Sequence, residues 1–268
     1  MQITQAMKMV SAAKLKKAQS AILSMRPYSE NLFEIITDIL KSMPGFSSPL
    51  VGEKSFPKRL LISVTSNRGL CGGFNSNIIK ATKNYLYANK EREVDIVTIG
   101  KKGNDVLSKS HRVVEDHSSL FENLDYESTS LIAEKYISIF VSGGYDKIDL
   151  IYNRFKNAAT QIVSTETLLP YRVNNFEKTE TFNDYIYEPN KSQMLEDIIP
   201  KGIKIMLYSA LRESFASEHG ARMTAMHKAT DNAAELADQL KLKYNKARQA
   251  SITNEILEIV GGAEALKT

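Results

Sequence analysis

The sequence has few of the residues that build disulfides, metal sites and common active sites. Its 268 residues include one cysteine, Cys71, which excludes an internal disulfide and a cysteine-based metal site. No Ser-His-Asp or paired-carboxylate arrangement can be recognised, so the pattern does not indicate an active site. The histidines also lack a metal-ligand grouping; they are His111, His117, His219 and His227.

Long apolar runs are missing as well. No stretch approaches the roughly 20 apolar residues that a membrane-spanning helix needs, and no signal-peptide pattern opens the sequence. A hydrophobic content of 43% and a charged content of 25% are typical of a soluble globular protein. The formal net charge of +4 is too small to indicate nucleic-acid binding by itself. We therefore expect the protein to work in a reducing, aqueous compartment. A position beside a membrane is compatible with this expectation.

Proline is absent after Pro200, and only Gly220 interrupts a run of strong helix formers between Ile203 and Val260. As one helix, this run would be about 90 Å long at 1.5 Å per residue, longer than a small domain. Its apolar residues recur in steps of three and four, which predicts a coiled-coil seam; the alternative is a long surface helix on an α-helical domain. The seam residues are Met226, Ala229, Ala233, Leu236, Leu240, Ala247, Ala250 and Leu257, interrupted by Lys243 and Asn254.

The first 43 residues predict a second helix, which Pro27 is expected to kink or interrupt. No acidic residue precedes Glu30, and a basic amphipathic helix can bind a membrane surface or nucleic acid. Its apolar stripe contains no Trp or Phe, however, so we predict that it is the partner of the C-terminal helix. The stripe residues are Ile3, Ala6, Val10 and Ala13, widened by Met7, Met9 and Leu15.

The middle of the chain alternates strand and helix patterns, which predicts a small Rossmann-like α/β domain with a mainly parallel sheet. We place this domain at residues 56–190 and a helical pair at 1–55 and 200–268. Residues 171–200 are expected to be an exposed, irregular connector. The predicted strands are 59–65, 94–99, 113–114, 147–155 and 161–169, and the predicted helices are 75–88, 101–108 and 128–142. The last helix is expected to turn inward Leu131, Ile132, Tyr136, Ile139 and Phe140.

A glycine-rich turn, Arg68–Phe74, follows the first strand at the position where a phosphate-binding loop would lie. Its spacing matches neither the dinucleotide fingerprint nor the P-loop, and no Lys-Ser or Lys-Thr pair follows. We therefore favour a tight turn, with Cys71 as a small residue there. The alternative is a coiled-coil scaffold with a nucleotide-binding α/β domain.

Three motifs resemble the γ subunit of F-type ATP synthases. They are Lys246-Ala-Arg-Gln-Ala-Ser251 with Ile252-Thr-Asn-Glu-Ile-Leu-Glu-Ile-Val-Gly-Gly-Ala-Glu-Ala265, Ile3-Thr-Gln-Ala-Met-Lys-Met-Val-Ser-Ala-Ala-Lys14, and Ser66-Asn-Arg-Gly-Leu-Cys-Gly-Gly-Phe-Asn75. Because they lie at both ends and near the middle, the resemblance covers the whole chain. Family members usually begin a few helical turns before the second motif. By this resemblance Met1 is either a misassigned start or the start of a trimmed sequence, and the foot of the first helix would be missing.

The resemblance implies the central shaft of a rotary motor. The two terminal helices would lie antiparallel in the bore of an α3β3 hexamer, and the domain would lie at the foot beside the ε subunit and the membrane c-ring. Proton flow would turn ring and shaft, and the shaft would force each β subunit through its nucleotide states. The catalytic residues belong to β, so the chain would need no cofactor or metal of its own.

The resemblance also implies a location and a set of contacts. We expect the cytoplasmic face of a bacterial inner membrane, reached only through the complex; the alternative is the matrix side of the mitochondrial inner membrane. We expect no nucleic-acid partner, because the C-terminal helix mixes both signs of charge. Contacts with β-subunit loops are implied for Arg248, Gln249, Thr253 and Glu258, with Lys8 and Lys14 as further candidates.

Overall fold

The computed structural model describes residues 2–43, 45–52, 58–172 and 187–265, with side chains described up to residue 262. Its mixed α and β elements, with a long helix at each end, confirm the predicted fold class. In chain order the elements are α1 (Gln2–Ser42), β1 (Lys58–Val64), α2 (Phe74–Ala88), β2 (Glu93–Ile99), α3 (Lys101–Leu107), β3 (Val113–Asp116), a short 3-10 helix (Ser118–Phe121), α4 (Tyr126–Val141), β4 (Lys147–Phe155), β5 (Gln161–Leu169) and α5 (Lys191–Ala265).

The five strands form one sheet in the order β3-β2-β1-β4-β5. The first four are parallel and β5 runs antiparallel to β4, which confirms the mainly parallel sheet. The central strands are almost continuously buried, as expected for a sheet covered on both faces. Ile78 of α2 packs on one face, whereas Phe140 of α4 and Leu207 of α5 pack on the other.

Helices α1 and α5 pack against each other along most of α1 and run antiparallel. At one end Lys191 donates to the hydroxyl of Ser42 over 3.1 Å, and at the other Thr230 donates to Thr4 over 2.8 Å. Between these points Ala18 is 1% exposed and packs in an apolar cluster with α5. Such small residues let the helix backbones approach closely, so the predicted pairing of the terminal helices is confirmed for this stretch.

The buried face of α1 differs from the predicted one. Ile3, Ala6, Val10 and Ala13 are all exposed. The face against α5 is displaced by about one residue, or roughly 100° around the helix. Ser11 lies on the observed face: it is 2% exposed, and its hydroxyl donates to the backbone carbonyl of Met7, one turn earlier, over 2.8 Å. The buried residues of α1 are Ser11, Leu15, Ala18, Ile22, Ser29, Ile36, Thr37 and Ile39.

Two prolines lie inside helices instead of ending them. Helix α1 is continuous through Pro27, so of the two expected effects, a kink or an interruption, the interruption is wrong. Helix α5 begins at Lys191 and continues through Pro200, so residues 191–200 are helical and not part of a connector. Asn190 starts this helix by accepting a backbone N–H of the first turn over 2.9 Å. Residues 173–186 of the predicted connector lie outside the described residues.

The coiled-coil seam predicted on α5 pairs with α1 only in its lower part. Met226 is 5% exposed and Ala229 and Ala233 are half-buried, whereas Leu236 is 56% exposed and Leu257 is 63% exposed. The reason is length, because the first turn of α1 lies beside residue 230 and α5 continues to Ala265. The described part of α1 therefore covers only the lower residues of the predicted seam.

Helix α4 covers the sheet with the row Thr129, Ala133, Tyr136 and Phe140, which are all buried. Ile132 and Ile139 flank this row and are half-buried. Leu131 lies on the opposite side and is 63% exposed, so its predicted inward position is wrong. Leu131 lies two residues after Thr129 and two residues before Ala133, which places it on the far face of the helix.

Candidate functional site: the projecting helix and its junction with the domain

The upper part of α5, residues 235–262, extends away from the rest of the molecule, and we name it the projecting segment. Every residue in it is exposed, and at 1.5 Å per residue it is about 40 Å long. Large apolar side chains occur on several of its sides, which is unusual for a solvated helix. They are Leu236, Leu240, Leu242, Tyr244, Ile252, Ile256, Leu257, Ile259 and Val260.

Four of the predicted contact residues lie in the projecting segment, and all four are exposed: Arg248, Gln249, Thr253 and Glu258. Gln249 and Thr253 are one turn apart on one face, where the Thr253 hydroxyl donates to the Gln249 carbonyl over 2.8 Å. At 3.6 residues per turn, Glu258 lies about half a turn around the helix from Gln249. The segment therefore presents different chemistry on different sides.

The two other predicted contact residues lie elsewhere. Lys8 is half-buried and Lys14 is exposed, both on α1. Lys14 lines a cavity together with Glu218 of α5, and Arg248 is 30 positions further along that helix, about 45 Å at 1.5 Å per residue. The structure therefore does not bring the lysines together with the residues of the projecting segment.

A buried ionic contact joins α5 to the domain. Arg222 is 6% exposed and donates to the carboxylate of Glu218 over 2.6 Å. Its second terminal nitrogen donates to the backbone carbonyls of Arg68 over 2.9 Å and of Gly69 over 3.3 Å. One guanidinium thus binds the helix to the glycine-rich turn.

The glycine-rich turn is shaped to receive α5. Gly72 has a φ of 59°, in the left-handed region that favours glycine, and a Cβ there would lie 4.0 Å from the side chain of Ala225. Cys71 packs in a buried cluster with Phe74 and Ala221 of α5. Burial raises the pKa of the Cys71 thiol, which disfavours the reactive thiolate. The turn is therefore a packed connection between strand and shaft.

Electrostatics at this junction depend on burial. Burial raises the pKa of the Glu218 carboxyl, and the neighbouring Arg222 opposes that increase. Burial also lowers the pKa of His219 to about 3, and the charges of Arg222 and Lys14 add to the effect. His219 is therefore neutral at ordinary pH. Its Nδ1 lies 3.5 Å from the Arg222 guanidinium, which can only donate, so the imidazole proton belongs on Nε2.

Sequence reasoning missed the junction residues Glu218, His219 and Arg222. One signal was present, because Glu218 and Arg222 have the i, i+4 spacing of a helical ion pair. That spacing is commonest on solvated faces, and the sequence does not distinguish a solvated pair from a buried one.

Other site types receive no support within the described ranges. No three His, Cys, Asp or Glu side chains there lie close enough together to hold a metal ion. None of the helices described there combines the length and apolarity needed to cross a bilayer.

Comparison with known proteins identifies the family. The family profile described as ATP synthase matches residues 1–266. An ATP synthase gamma chain of Flavobacterium johnsoniae is 58% identical over 267 residues, covering 99% of this chain and 93% of that protein. The gamma chain of Geobacter metallireducens is 42% identical, with the same two coverages.

A solved structure agrees in fold as well as in sequence. A chain of the central stalk and c-ring structure of the Tetrahymena thermophila mitochondrial ATP synthase is 27% identical, with a TM-score of 0.62. The match covers 85% of this chain and 99% of that one. The profile, the relatives and the fold agree, and the chain belongs to the ATP synthase gamma-chain family.

Proposed function

We propose that this chain is the central rotor shaft of a bacterial F-type ATP synthase, coupling proton-driven rotation of the c-ring to conformational change in the catalytic β subunits. The observation that carries the proposal is the projecting segment, a single helix about 40 Å long whose apolar side chains are exposed on several sides. A helix of this kind is stable when other proteins surround it. The bore of an α3β3 hexamer is such an environment.

The proposed mechanism is differential contact. Gln249 and Thr253 share one face of the projecting segment, and Glu258 lies about half a turn away. As the shaft turns, each surrounding β subunit meets first one set of side chains and then another. A shaft orientation that binds one β conformation better than the other shifts the population of that subunit, and with it the affinity for nucleotide.

Torque has to pass from the foot of the shaft to the projecting segment. The packing of α1 on α5 and the bonds from Arg222 to the glycine-rich turn make α5 continuous with the domain. We assign the ε subunit and the c-ring as partners of the foot domain, residues 56–190, and the α and β subunits as partners of the helical shaft. The complex would hold the chain at the cytoplasmic face of the inner membrane.

Catalysis itself is assigned to the β subunits, and this chain contributes no catalytic residue. The rival function, a scaffold with a nucleotide-binding α/β domain, would use the turn after β1 for phosphate. In this chain two carbonyls of that turn accept from Arg222, and α5 packs on it. This packing favours the shaft over the scaffold.

Co-expression with the α and β subunits of the same organism tests the assignment. The chain should co-purify with them in a complex that hydrolyses ATP. A variant that ends at residue 234 keeps the domain and the paired helices, and it should lose coupled ATP synthesis. Recovery of the full chain without α and β, under conditions where those two assemble, would contradict the proposal.

A further inference from the structure

A cavity of about 720 Å³ lies at the base of the shaft, between α1, the glycine-rich turn and α5. Besides Arg222, three cationic side chains from three different parts of the chain line it: Lys14 of α1, Arg68 of the turn and Lys101 at the start of α3. Within the described residues none of the three has an ion-pair partner. The volume falls within the range of small-molecule sites.

A buried side chain with an unpaired nitrogen lines the same cavity. His219 is 5% exposed, and its Nε2 has no hydrogen-bond partner among the described residues. Because Nδ1 faces the Arg222 guanidinium, Nε2 carries the proton and is a donor. A buried donor left unpaired is costly, so such a group indicates a missing acceptor.

The balance of charge in the cavity favours an anion. Glu218 also lines it, but its carboxylate is already bound to Arg222 over 2.6 Å. Glu122 is the other acidic side chain on the wall. The three unpaired cations therefore exceed the one unpaired carboxylate. Convergent cations together with a neutral N–H donor suit an oxyanion that accepts several hydrogen bonds.

We propose that this cavity binds a free divalent oxyanion of the phosphate class. The anion accepts from His219 and is held by Lys14, Arg68 and Lys101. Because Lys14 belongs to α1 and the other two cations belong to the domain, the bound anion links the shaft to its foot. Ligand binding to the folded state then raises stability.

Titration of the full-length chain with inorganic phosphate tests the proposal, at constant ionic strength maintained with chloride. We expect saturable binding in calorimetry, together with a shift of the His219 Nε2–H resonance. The variants Lys101→Gln and Arg68→Gln should each weaken binding about fivefold or more, since each removes a charge-assisted hydrogen bond. Lys109→Gln is the matched control, because Lys109 is exposed and follows the same helix without lining the cavity.

Three further ligands define the chemistry that the cavity recognises. Sulfate should compete with phosphate, whereas acetate at the same concentration should not. Adenosine monophosphate should bind no tighter than phosphate if the free anion is what the cavity recognises. The proposal is overturned by the absence of saturable phosphate binding, by equal weakening in Lys109→Gln, or by a nucleotide that binds much more tightly through the same residues.

Discussion

At the scale of single residues, buried charge determines how α5 is held against the domain. Arg222 satisfies Glu218 and two backbone carbonyls at once, and it does so at 6% exposure. Removing one partner of a buried pair leaves an uncompensated charge, which is more damaging than removing both partners.

Replacing Arg222 by methionine should therefore destabilise the full-length chain by about 3–5 kcal/mol. The double variant Arg222→Met with Glu218→Gln should recover part of that loss, because it leaves no buried charge. Urea unfolding followed by circular dichroism gives both values. A double variant as unstable as the single one would mean that the guanidinium packing matters and the pairing does not.

The protonation of His219 makes the stability of the folded chain depend on pH, and the sign of this dependence follows from the pKa shift. Its pKa is lowered from 6.5 to about 3 in the folded chain, so the unfolded chain binds more protons between those two values. This contribution to stability is present above pH 6.5 and is lost as the pH falls towards about 3. Glu218 acts in the opposite direction because burial raises its pKa.

The comparison with His219→Gln isolates the histidine, since the glutamine keeps an amide donor but does not titrate. As the pH falls from neutral to about 4, the free energy of unfolding of this variant should decrease less steeply than that of the original chain. The difference should arise below the unfolded pKa of His219 and above its folded pKa. Parallel pH profiles of the two proteins would show that His219 is accessible to protons in the folded state.

The exposed polar residues of the projecting segment make a different kind of contribution. Arg248 and Gln249 are solvated in this chain, so their replacement by alanine should leave its stability unchanged. Within an assembled complex, the double variant should lower ATP synthesis several-fold, because each side chain can bond a β loop in one orientation and lose it in the next. Alanine keeps the helix intact.

Synthesis and hydrolysis by reconstituted complexes measure the effect of the double variant. The matched control is Lys246→Ala with Lys243→Ala on the same segment, which we expect to change the rates little. Unchanged rates in Arg248→Ala/Gln249→Ala complexes would mean that those side chains do not contribute to coupling. The shape of the shaft alone would then transmit the torque.

At the scale of elements, close packing of α1 on α5 depends on small residues. Ala18 lies at 1% exposure in the contact, and Ala13 is exposed on the other side of α1. Ala18→Leu should cost about 1–3 kcal/mol through overpacking, whereas Ala13→Leu, the same change on the same helix, should be close to neutral. Urea midpoints compare the two. Equal losses of stability in the two variants would mean that Ala13 is packed as tightly as Ala18. That result would favour the predicted stripe of α1 over the observed buried face.

Helix–domain–helix order and the parallel strands could be predicted from the sequence, because apolar periodicity and strand runs record burial directly. The buried face of α1 could not, since Ser11 counts as polar although the backbone carbonyl of Met7 satisfies its hydroxyl. Nor could the pattern show where the seam of α5 loses its partner: Leu236 and Leu257 look like core residues whatever covers them. The candidate contacts came from family resemblance, and no local pattern separates them from other exposed residues.

At the scale of the whole molecule, one part of the structure buries its own apolar surface and the other part leaves its apolar surface exposed. The domain and the paired helices enclose a common core, to which α1, α4 and α5 all contribute. The projecting segment has no such cover within the described chain. This division is what a rotor requires, because the base has to be rigid while the upper helix contacts subunits that stay in place.

Direct observation of rotation tests this account best. Cys71 is the only cysteine and is buried, so the pair Cys71→Ser and Lys109→Cys places one label on the exposed surface of the domain. With the β subunits of an assembled complex fixed to a surface, ATP should drive unidirectional rotation of a bead on that label. A bead that stays still, on complexes that hydrolyse ATP at the normal rate, would contradict the claim that this chain is the rotor.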